Sequence, residues 1–200
     1  MVIVNNMSAA VGPLKRSLTR RILTHRIRAR HPTLYCDPSA FFDYAYADLD
    51  DIEIGAHVSV GAFCEIIVQR HSRHSSIPGK LVLKDKAIVS TGVNIRAAGG
   101  RIEIGANSAV AQNVVVLASN HATGSQADRL RIGWDEERTG VRLGDNVWVG
   151  ANSVLLPGCE IGDNTIVGAG SVVRGKLGAN ELWAGVPARR IKSLDPGSGR

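Results

Sequence analysis

Aliphatic residues recur at every sixth position of this chain, and that period constrains the fold more than any other feature of the sequence. It matches neither the helical period of about 3.6 residues nor the coiled-coil period of about 3.5, so the chain is predicted to consist of short strands. Most members of the longest series are followed by glycine, as in VGANSV and IGDNTI. The series are Leu143, Val149, Leu155, Ile161, Val167 and Val173; Ile54, Val60 and Ile66; Leu83, Val89 and Ile95; and Ile104, Val110 and Val116.

Small or branched residues keep a second register, four positions after an aliphatic residue of the first. They are Val58, Cys64, Ala87, Val93, Ser108, Val114, Val147, Ser153, Cys159, Thr165 and Ser171. Because side chains alternate between the faces of a strand, both registers point inward, and Gly, Asn or Asp turns the chain between strands. Six residues on each of three sides predict stacked eighteen-residue coils around a prism filled with like side chains. Cys64 and Cys159 are therefore interpreted as core residues rather than nucleophiles.

The composition agrees with such a repetitive core. Hydrophobic residues make up 44% of the 200 residues but aromatic residues only 4%, which favours small and branched side chains in one domain. The three cysteines are odd in number and lack ligand-like spacing, so neither a disulfide framework nor a zinc site is expected. The sequence shows no signal-peptide order and no apolar stretch of membrane-spanning length, and a cytoplasmic protein is expected.

The net charge of +6 comes mainly from an N-terminal arm. Residues 1–36 contain seven Lys or Arg and no acid, whereas residues 37–53 contain six acids and no Lys or Arg. No nucleic-acid-binding motif accompanies the basic residues and aromatic residues are scarce, so nucleic acid is not expected as a partner.

Residues 1–49 are predicted to form a basic helical arm and an acidic connector, residues 50–192 the repeat domain, and residues 193–200 a flexible tail. The arm places apolar residues at helical spacing: Leu14, Leu18, Ile22, Leu23 and Ile27. We expect this stripe to pack against the prism. Peripheral contact with an anionic membrane surface, or with a partner, is the alternative.

The stretch LGDNVWVGANSVLLPGCEIGDNTIVGAGSVVRGKLGANELWAGVPARRI resembles the hexapeptide-repeat acetyltransferases of the maltose, galactoside and polysaccharide O-acetyltransferase type. The resemblance covers about residues 50–192 and implies an all-β fold, a left-handed parallel β-helix. The handedness comes from the resemblance, because the repeat itself does not set it and parallel crossovers are usually right-handed. The resemblance also implies acetyl-CoA as co-substrate and a homotrimer with active sites between subunits.

Three segments interrupt the repeat, and function in a solenoid concentrates at such interruptions. They are residues 70–79, residues 96–101 and the much longer loop 122–140. His121 directly precedes the longest one, and the period places its side chain outside the prism. The resemblance implies that His121 is the general base that takes the proton from an acceptor hydroxyl, which attacks the thioester directly. Imidazole suits this role because its unperturbed pKa lies near neutrality.

Trp148 directly precedes inward-facing Val149, so the period places its indole outside the prism. The resemblance implies that Trp148 lines the acceptor site, and a contact between subunits is a compatible alternative. Asn120 either orients His121, contacts a sugar or is an ordinary turn residue. The acidic residues of the loop either bind acceptor hydroxyls or are solvated charges: Asp128, Asp135, Glu136 and Glu137.

The resemblance also implies a binding groove for coenzyme A. Four small residues would let pantetheine approach the backbone: Gly150, Ala151, Ala169 and Gly170. The N–H near Ala151 is a candidate oxyanion donor. Arg189 and Lys192 lie where basic residues of the family meet coenzyme A, and Arg174 or Lys176 replaces the Thr-Lys pair usual after GSVV. Solvated charge is the alternative for these four residues.

The acceptor is expected to be a sugar hydroxyl of a polysaccharide, glycolipid or precursor, because the arm does not resemble that of enzymes acting on free maltose or galactosides. An amino sugar or serine is the alternative acceptor. A catalytically silent scaffold is the alternative to an enzyme. The γ-class carbonic anhydrases share the prism and bind zinc through histidines. His71 and His74 lack the spacing of those ligands, so no metal is expected.

Overall fold

The computed structural model describes residues 13–123 and 133–194, without the side chains of residues 13–17, 19, 45 and 46. A helix, α1 (Pro13–Arg30), precedes the strands. The strands follow in coils of three: β1 (Tyr35–Cys36), β2 (Phe41–Tyr46) and β3 (Ile52–Ile54); β4 (Ser59–Val60), β5 (Glu65–Gln69) and β6 (Lys80–Leu83); β7 (Ile88–Val89), β8 (Asn94–Ala98) and β9 (Arg101–Ile104); β10 (Ala109–Val110), β11 (Val115–Leu117) and β12 (Val141–Leu143); β13 (Trp148–Val149), β14 (Val154–Leu155) and β15 (Cys159–Ile161); β16 (Ile166–Val167), β17 (Val172–Val173) and β18 (Lys176–Leu177). A final hairpin comprises β19 (Glu181–Gly185) and β20 (Ala188–Ser193).

Each strand of a coil pairs in parallel with the corresponding strand of the next coil. The first strands form sheet A, which the hairpin extends, the second strands form sheet B and the third strands form sheet C. Val149 pairs with Val167 and Leu155 with Val173, which is the predicted eighteen-residue spacing. The predicted fold class, a left-handed parallel β-helix of hexapeptide repeats with an N-terminal helix, is confirmed.

The core consists of ladders of inward-facing side chains from both registers. Val149, Leu155 and Ile161 are almost completely buried, and so are the small residues between them. Buried Ser108 is satisfied because its hydroxyl donates to the Gly144 carbonyl (2.8 Å) and accepts from the Val147 N–H (2.9 Å). Cys64 and Cys159 lie in this core as predicted, and burial raises the pKa of Cys159 to about 12.

The β-helix begins one coil earlier than predicted, within the segment expected to be a connector. β1 pairs with β4 and β2 with β5, so the first coil starts at Tyr35 rather than at residue 50. Cys36, Ala40 and Phe42 keep both inward registers of the repeat and are buried. The prediction missed this coil because no glycine marks its turns.

Helix α1 packs against β2, which supports the packing interpretation of the arm. Ile27 is completely buried, the Thr24 hydroxyl accepts a hydrogen bond from the Phe42 N–H (3.0 Å), and the Tyr44 hydroxyl donates to the Leu23 carbonyl (3.2 Å). The stripe packs only in part, because Leu18 and Ile22 remain about half exposed and the side chain of Leu14 is outside the described set. Within the described residues, no helix is long and apolar enough to cross a membrane.

The chain leaves the prism through the antiparallel pair β19 and β20 at the end of sheet A. The hairpin takes the described chain beyond the last complete coil. Most of the expected tail, residues 195–200, lies outside the described residues.

Candidate active site

The three interruptions of the repeat meet at one corner of the prism, where sheet B strands lead into sheet C strands. Residues 70–79 join β5 to β6, Gly99 and Gly100 join β8 to β9, and residues 118–140 join β11 to β12. Because β5, β8 and β11 are neighbours in sheet B, and β6, β9 and β12 in sheet C, these connections stack on one another. We call this place the B–C corner.

His121 lies at the B–C corner, exposed, at the root of the long loop. Its backbone N–H donates to the Asn120 side-chain oxygen (3.0 Å). The returning end of the loop holds the same segment, because His121 forms an antiparallel bridge with Trp134 and the Asp135 N–H donates to the Asn120 carbonyl (2.9 Å). Asn120 therefore contributes to the backbone conformation at His121. Residues 124–132, including Asp128, lie outside the described residues.

Three aromatic rings form a cluster at this corner. The Trp134 indole stands perpendicular to the His121 imidazole, with ring centroids 6.5 Å apart, and stacks on His74 at 5.9 Å and 24°. The His74 and His121 rings lie 6.5 Å apart at 68°. The insertion at residues 70–79 thus contributes directly to the surroundings of His121.

Gly99 provides the surface on which Trp134 lies. A Cβ at this position would come within 2.4 Å of Cε3 of the indole, and the backbone has a φ of +65°, which favours glycine. The three-residue excess in the repeat at residues 96–101 therefore makes room for a side chain from another insertion.

Glu136 fastens the long loop to the insertion at residues 70–79. Its carboxylate accepts hydrogen bonds from the Ser75 hydroxyl (2.7 Å), the Ser76 N–H (2.6 Å) and the Ser76 hydroxyl (3.1 Å). These bonds, first that from the Ser75 hydroxyl, lower the pKa of Glu136. Glu136 thus joins the two insertions at this corner. Asp135 lies 3.3 Å from Arg138.

Sequence reasoning did not assign His74 or Trp134 to this site. His74 was considered only as a metal ligand, and the repeat period says nothing about where an insertion folds. A usable signal was present in the paired glycines Gly99 and Gly100 at an interruption, together with a tryptophan in an otherwise polar loop.

Trp148 lies on the outer face of sheet A and is 55% exposed. In a three-sided prism that face is opposite the B–C corner, so one chain does not bring Trp148 and His121 together. Tyr35 and Ile88 are further exposed apolar residues on the same face of sheet A.

The four small residues predicted to line the coenzyme A groove stack at the corner between sheets A and B. A Cβ on Gly150 would come within 2.5 Å of the Ala169 nitrogen, and the Gly170 N–H donates to the Ala151 carbonyl (2.8 Å). One full side of the prism, which includes β14, separates this corner from the B–C corner. The Ala151 N–H and His121 of one chain therefore cannot act on the same carbonyl group.

The four basic candidates divide between two places. Arg174 follows β17 and is exposed, while Lys176 lies on β18 with its Nζ 3.1 Å from Glu160. Arg189 and Lys192 lie exposed on β20 of the hairpin. They do not form one cluster within a chain.

Over residues 13–123 and 133–194, no group of three or more His, Cys, Asp or Glu is arranged to hold a metal ion.

Comparison with known proteins agrees with the repeat and the fold. Residues 140–175 match the family model described as bacterial transferase hexapeptide (six repeats). A protein of Escherichia coli K12, provisionally named lipopolysaccharide biosynthesis O-acetyl transferase WbbJ, is 36% identical over 123 residues, 58% of this chain and 62% of the relative. A provisionally named acetyltransferase of Dictyostelium discoideum is 39% identical over 93 residues, 46% of this chain and 47% of the relative. The chain thus spans about half to two thirds of the length of these relatives.

Solved structures share the fold at lower identity. A point mutant of AntD, an N-acyltransferase from Bacillus cereus in complex with dTDP and coenzyme A, superposes with a TM-score of 0.64 at 22% identity, over 81% of each chain. A hexapeptide-repeat-containing acetyltransferase from Vibrio cholerae gives a TM-score of 0.56 at 20% identity, over 96% of this chain and 85% of the other. The repeat and the three sheets define a hexapeptide-repeat β-helix protein. Residues 140–175 carry the hexapeptide repeat that the matched model describes, and the parallel sheets extend the same repeat on either side of them.

Proposed function

We propose that this protein is an acetyl-CoA-dependent O-acetyltransferase that acts on a sugar hydroxyl of a polysaccharide, glycolipid or precursor. The observation that carries the proposal is the exposed imidazole of His121 at the corner where all three interruptions of the repeat meet. The family match and the O-acetyl transferase name of the Escherichia coli relative support the reaction class and the oxygen acceptor. Coenzyme A is bound in the AntD structure, which shares the fold.

In the proposed reaction His121 acts as the general base. It takes the proton of the acceptor hydroxyl while the oxygen attacks the thioester carbonyl. The tetrahedral intermediate then collapses, the carbon–sulfur bond breaks, and the proton returns from His121 to the departing thiolate of coenzyme A. Transfer without an acyl-enzyme fits the cysteines, because Cys36, Cys64 and Cys159 are all buried.

The remaining site residues require a second copy of the chain. Trp148 and the Ala151 N–H lie on parts of the prism away from His121, so an active site that uses all three groups has to lie between two subunits. The exposed Tyr35, Ile88 and Trp148 on the outer face of sheet A provide an apolar surface for such a contact. We therefore include a homotrimer in the proposal.

Coenzyme A is proposed to bind in the groove between neighbouring prisms. The column of Gly150, Ala151, Ala169 and Gly170 presents no large side chain to pantetheine, and the Ala151 N–H is the proposed oxyanion donor. Arg174, Lys176, Arg189 and Lys192 supply positive charge for the phosphates. Since these residues divide between two places in one chain, two subunits would share the phosphate contacts.

The test uses purified protein, acetyl-CoA and a panel of sugar and amino-sugar acceptors, with release of the free thiol of coenzyme A as the readout. We expect turnover with a hydroxyl acceptor. We expect His121→Asn to abolish turnover while binding of coenzyme A, followed by calorimetry, is retained. His57→Asn is the matched control, because His57 is an exposed histidine at another corner with a φ of +57°, a conformation that Asn107 and Asn146 adopt in later coils.

Three results would contradict parts of this assignment. Absence of both turnover and coenzyme A binding overturns the acyltransferase proposal. Unchanged turnover in His121→Asn overturns the role of the base. Turnover confined to amino sugars replaces the oxygen acceptor with a nitrogen acceptor.

A further inference from the structure

The side chain of His121 is exposed, and its neighbours at the B–C corner are the rings of Trp134 and His74. A general base has to hold its ring nitrogen toward the acceptor, and small errors of placement cost large factors in rate. The backbone of His121 is fixed by Asn120 and by the bridge to Trp134. Orientation of the imidazole depends on what lies beside the ring.

Trp134 is held from several directions at once. Its backbone N–H donates to the His74 carbonyl (2.8 Å), its indole stacks on the His74 ring, and Gly99 leaves the space that the indole occupies. The ring of His74 is itself restrained, since its Nε2 accepts a hydrogen bond from Arg73 Nε (3.0 Å). The indole is thus a fixed surface although it belongs to a loop.

The connection between Glu136 and the two serines keeps the loop on the prism. The carboxylate of Glu136, two residues after Trp134 along the loop, accepts hydrogen bonds from Ser75 and Ser76 of the insertion at residues 70–79. Hydrogen bonds to a carboxylate are stronger than bonds between neutral groups. The hydrogen bond from the Trp134 backbone N–H and the hydrogen bonds that Glu136 accepts therefore hold the loop on either side of Asp135.

We propose that Trp134 is a positioning residue for His121, and that the bonds of Glu136 to Ser75 and Ser76 hold the indole in place. An edge-to-face arrangement is preferred between aromatic rings, and the 89° angle between the two rings is of this kind. The indole restricts rotation of the imidazole and keeps it presented to the acceptor. This inference rests on the proposed function, because orientation matters for transfer only if His121 is the base.

The first test is independent of catalysis. In the protein without substrate, the ring current of Trp134 displaces the NMR signals of the His121 imidazole, and the signals are assigned with His121→Asn. We expect Trp134→Ala to remove this displacement, Trp134→Phe to keep part of it, and Glu136→Gln to reduce it. Glu137→Gln removes the same charge one residue along and should leave the signals in place. Unchanged His121 signals in Trp134→Ala overturn the proposal.

The second test measures transfer. Trp134→Ala should lower kcat by about 10- to 100-fold. The KM for acetyl-CoA should stay within about twofold, because an interaction that acts on the reacting step alone leaves uniform binding unchanged. Trp134→Phe should recover most of the rate, and circular dichroism with thermal melting checks that each variant is folded. An unchanged kcat overturns the positioning role, whether or not the KM for acetyl-CoA rises.

The two tests separate this inference from the proposed function. If wild-type protein transfers no acyl group, the proposed function is wrong, while the NMR comparison still decides whether Trp134 sets the orientation of His121. If wild-type protein is active and Trp134→Ala is equally active, the positioning role alone is wrong.

Discussion

The backbone N–H of Trp134 donates a 2.8 Å hydrogen bond to the backbone carbonyl of His74, and this bond joins two insertions that leave the prism in different coils. Neither insertion continues the repeat, yet each provides a ring beside His121. The rigid coils determine where the insertions start, and the contacts between the insertions determine the surroundings of the candidate base. Changes at the B–C corner should therefore affect activity more than stability of the prism.

Gly99→Ala should disturb the site by displacing Trp134. The added methyl group would come within 2.4 Å of Cε3 and 2.8 Å of Cζ3 of the indole, and the ring has to move. We expect turnover to fall by about tenfold or more, in line with misplacement of a catalytic group. Release of the free thiol of coenzyme A measures the rate, and thermal melting measures the stability.

Gly175→Ala is the control that separates the effect of the contact with Trp134 from the effect of backbone strain. Gly175 has a φ of +74° and its Cβ would meet no atom within 4 Å, so the variant has the strain without the contact. Both variants should lose about 1 kcal/mol through the left-handed conformation. Equal turnover in the two variants would show that Trp134 tolerates the displacement.

Much of the fold could be predicted from the sequence because the two inward registers are local and repeat in every coil. The first coil was missed because Cys36, Ala40 and Phe42 keep the registers without a glycine turn. The period also placed His121 outside the prism at the root of the long loop, where the structure has it. The positions of the Trp134 and His74 rings could not be predicted, since contacts between insertions depend on tertiary packing and not on the sequence period.

Asp51→Ala should destabilise the protein more than Asp50→Ala, although each carboxylate pairs with an arginine. Asp51 is buried, lies 2.8 Å from Arg70 and accepts from the Asp48 N–H (2.8 Å), so its removal leaves several donors without an acceptor. We expect a loss of about 2 kcal/mol or more. Asp50 is exposed and pairs with Arg30 at 2.7 Å, and its loss should cost less than about 1 kcal/mol. Urea unfolding measures both values, and similar losses would mean that burial of Asp51 adds nothing.

His31 should make the folded state sensitive to acid. Burial, and then the positive charge of Arg30, lower the pKa of His31, while a hydrogen bond with the Ile54 backbone opposes the shift. Its Nε2 is buried without a hydrogen-bond partner among the described residues, so the folded state favours the neutral ring. In the unfolded chain the ring binds a proton near its usual pKa of about 6.5. The resulting stability is fully present above that pH and is lost as the pH falls toward the lower folded pKa.

The measurement is the free energy of unfolding in urea between pH 7.5 and pH 5.5, about one unit on either side of the unfolded pKa. His31→Gln should lose less stability over this interval than wild-type protein. His25→Gln is the control, because His25 is an exposed histidine of α1, the helix that His31 directly follows. An identical pH dependence in His31→Gln and wild-type protein would rule out His31 as the source.

Two inactive variants should restore activity to each other if the active site lies between subunits. His121 is at the B–C corner and Trp148 is on the opposite face, so the proposed site takes His121 from one chain and Trp148 from its neighbour. His121→Asn and Trp148→Ala are each expected to transfer poorly. In a closed trimer that contains both variants, about one third of the interfaces should then combine an intact His121 with an intact Trp148.

Mixing is achieved by co-expression with two affinity tags, and oligomers that carry both tags are assayed. Activity approaching about a third of the wild-type value is the expected result. Oligomers of His121→Asn mixed with the double variant His121→Asn/Trp148→Ala are the control, because none of their interfaces contains the imidazole. If doubly tagged oligomers form and no activity returns, Trp148 does not complete the site of a neighbouring His121, and its exposure on sheet A needs another explanation.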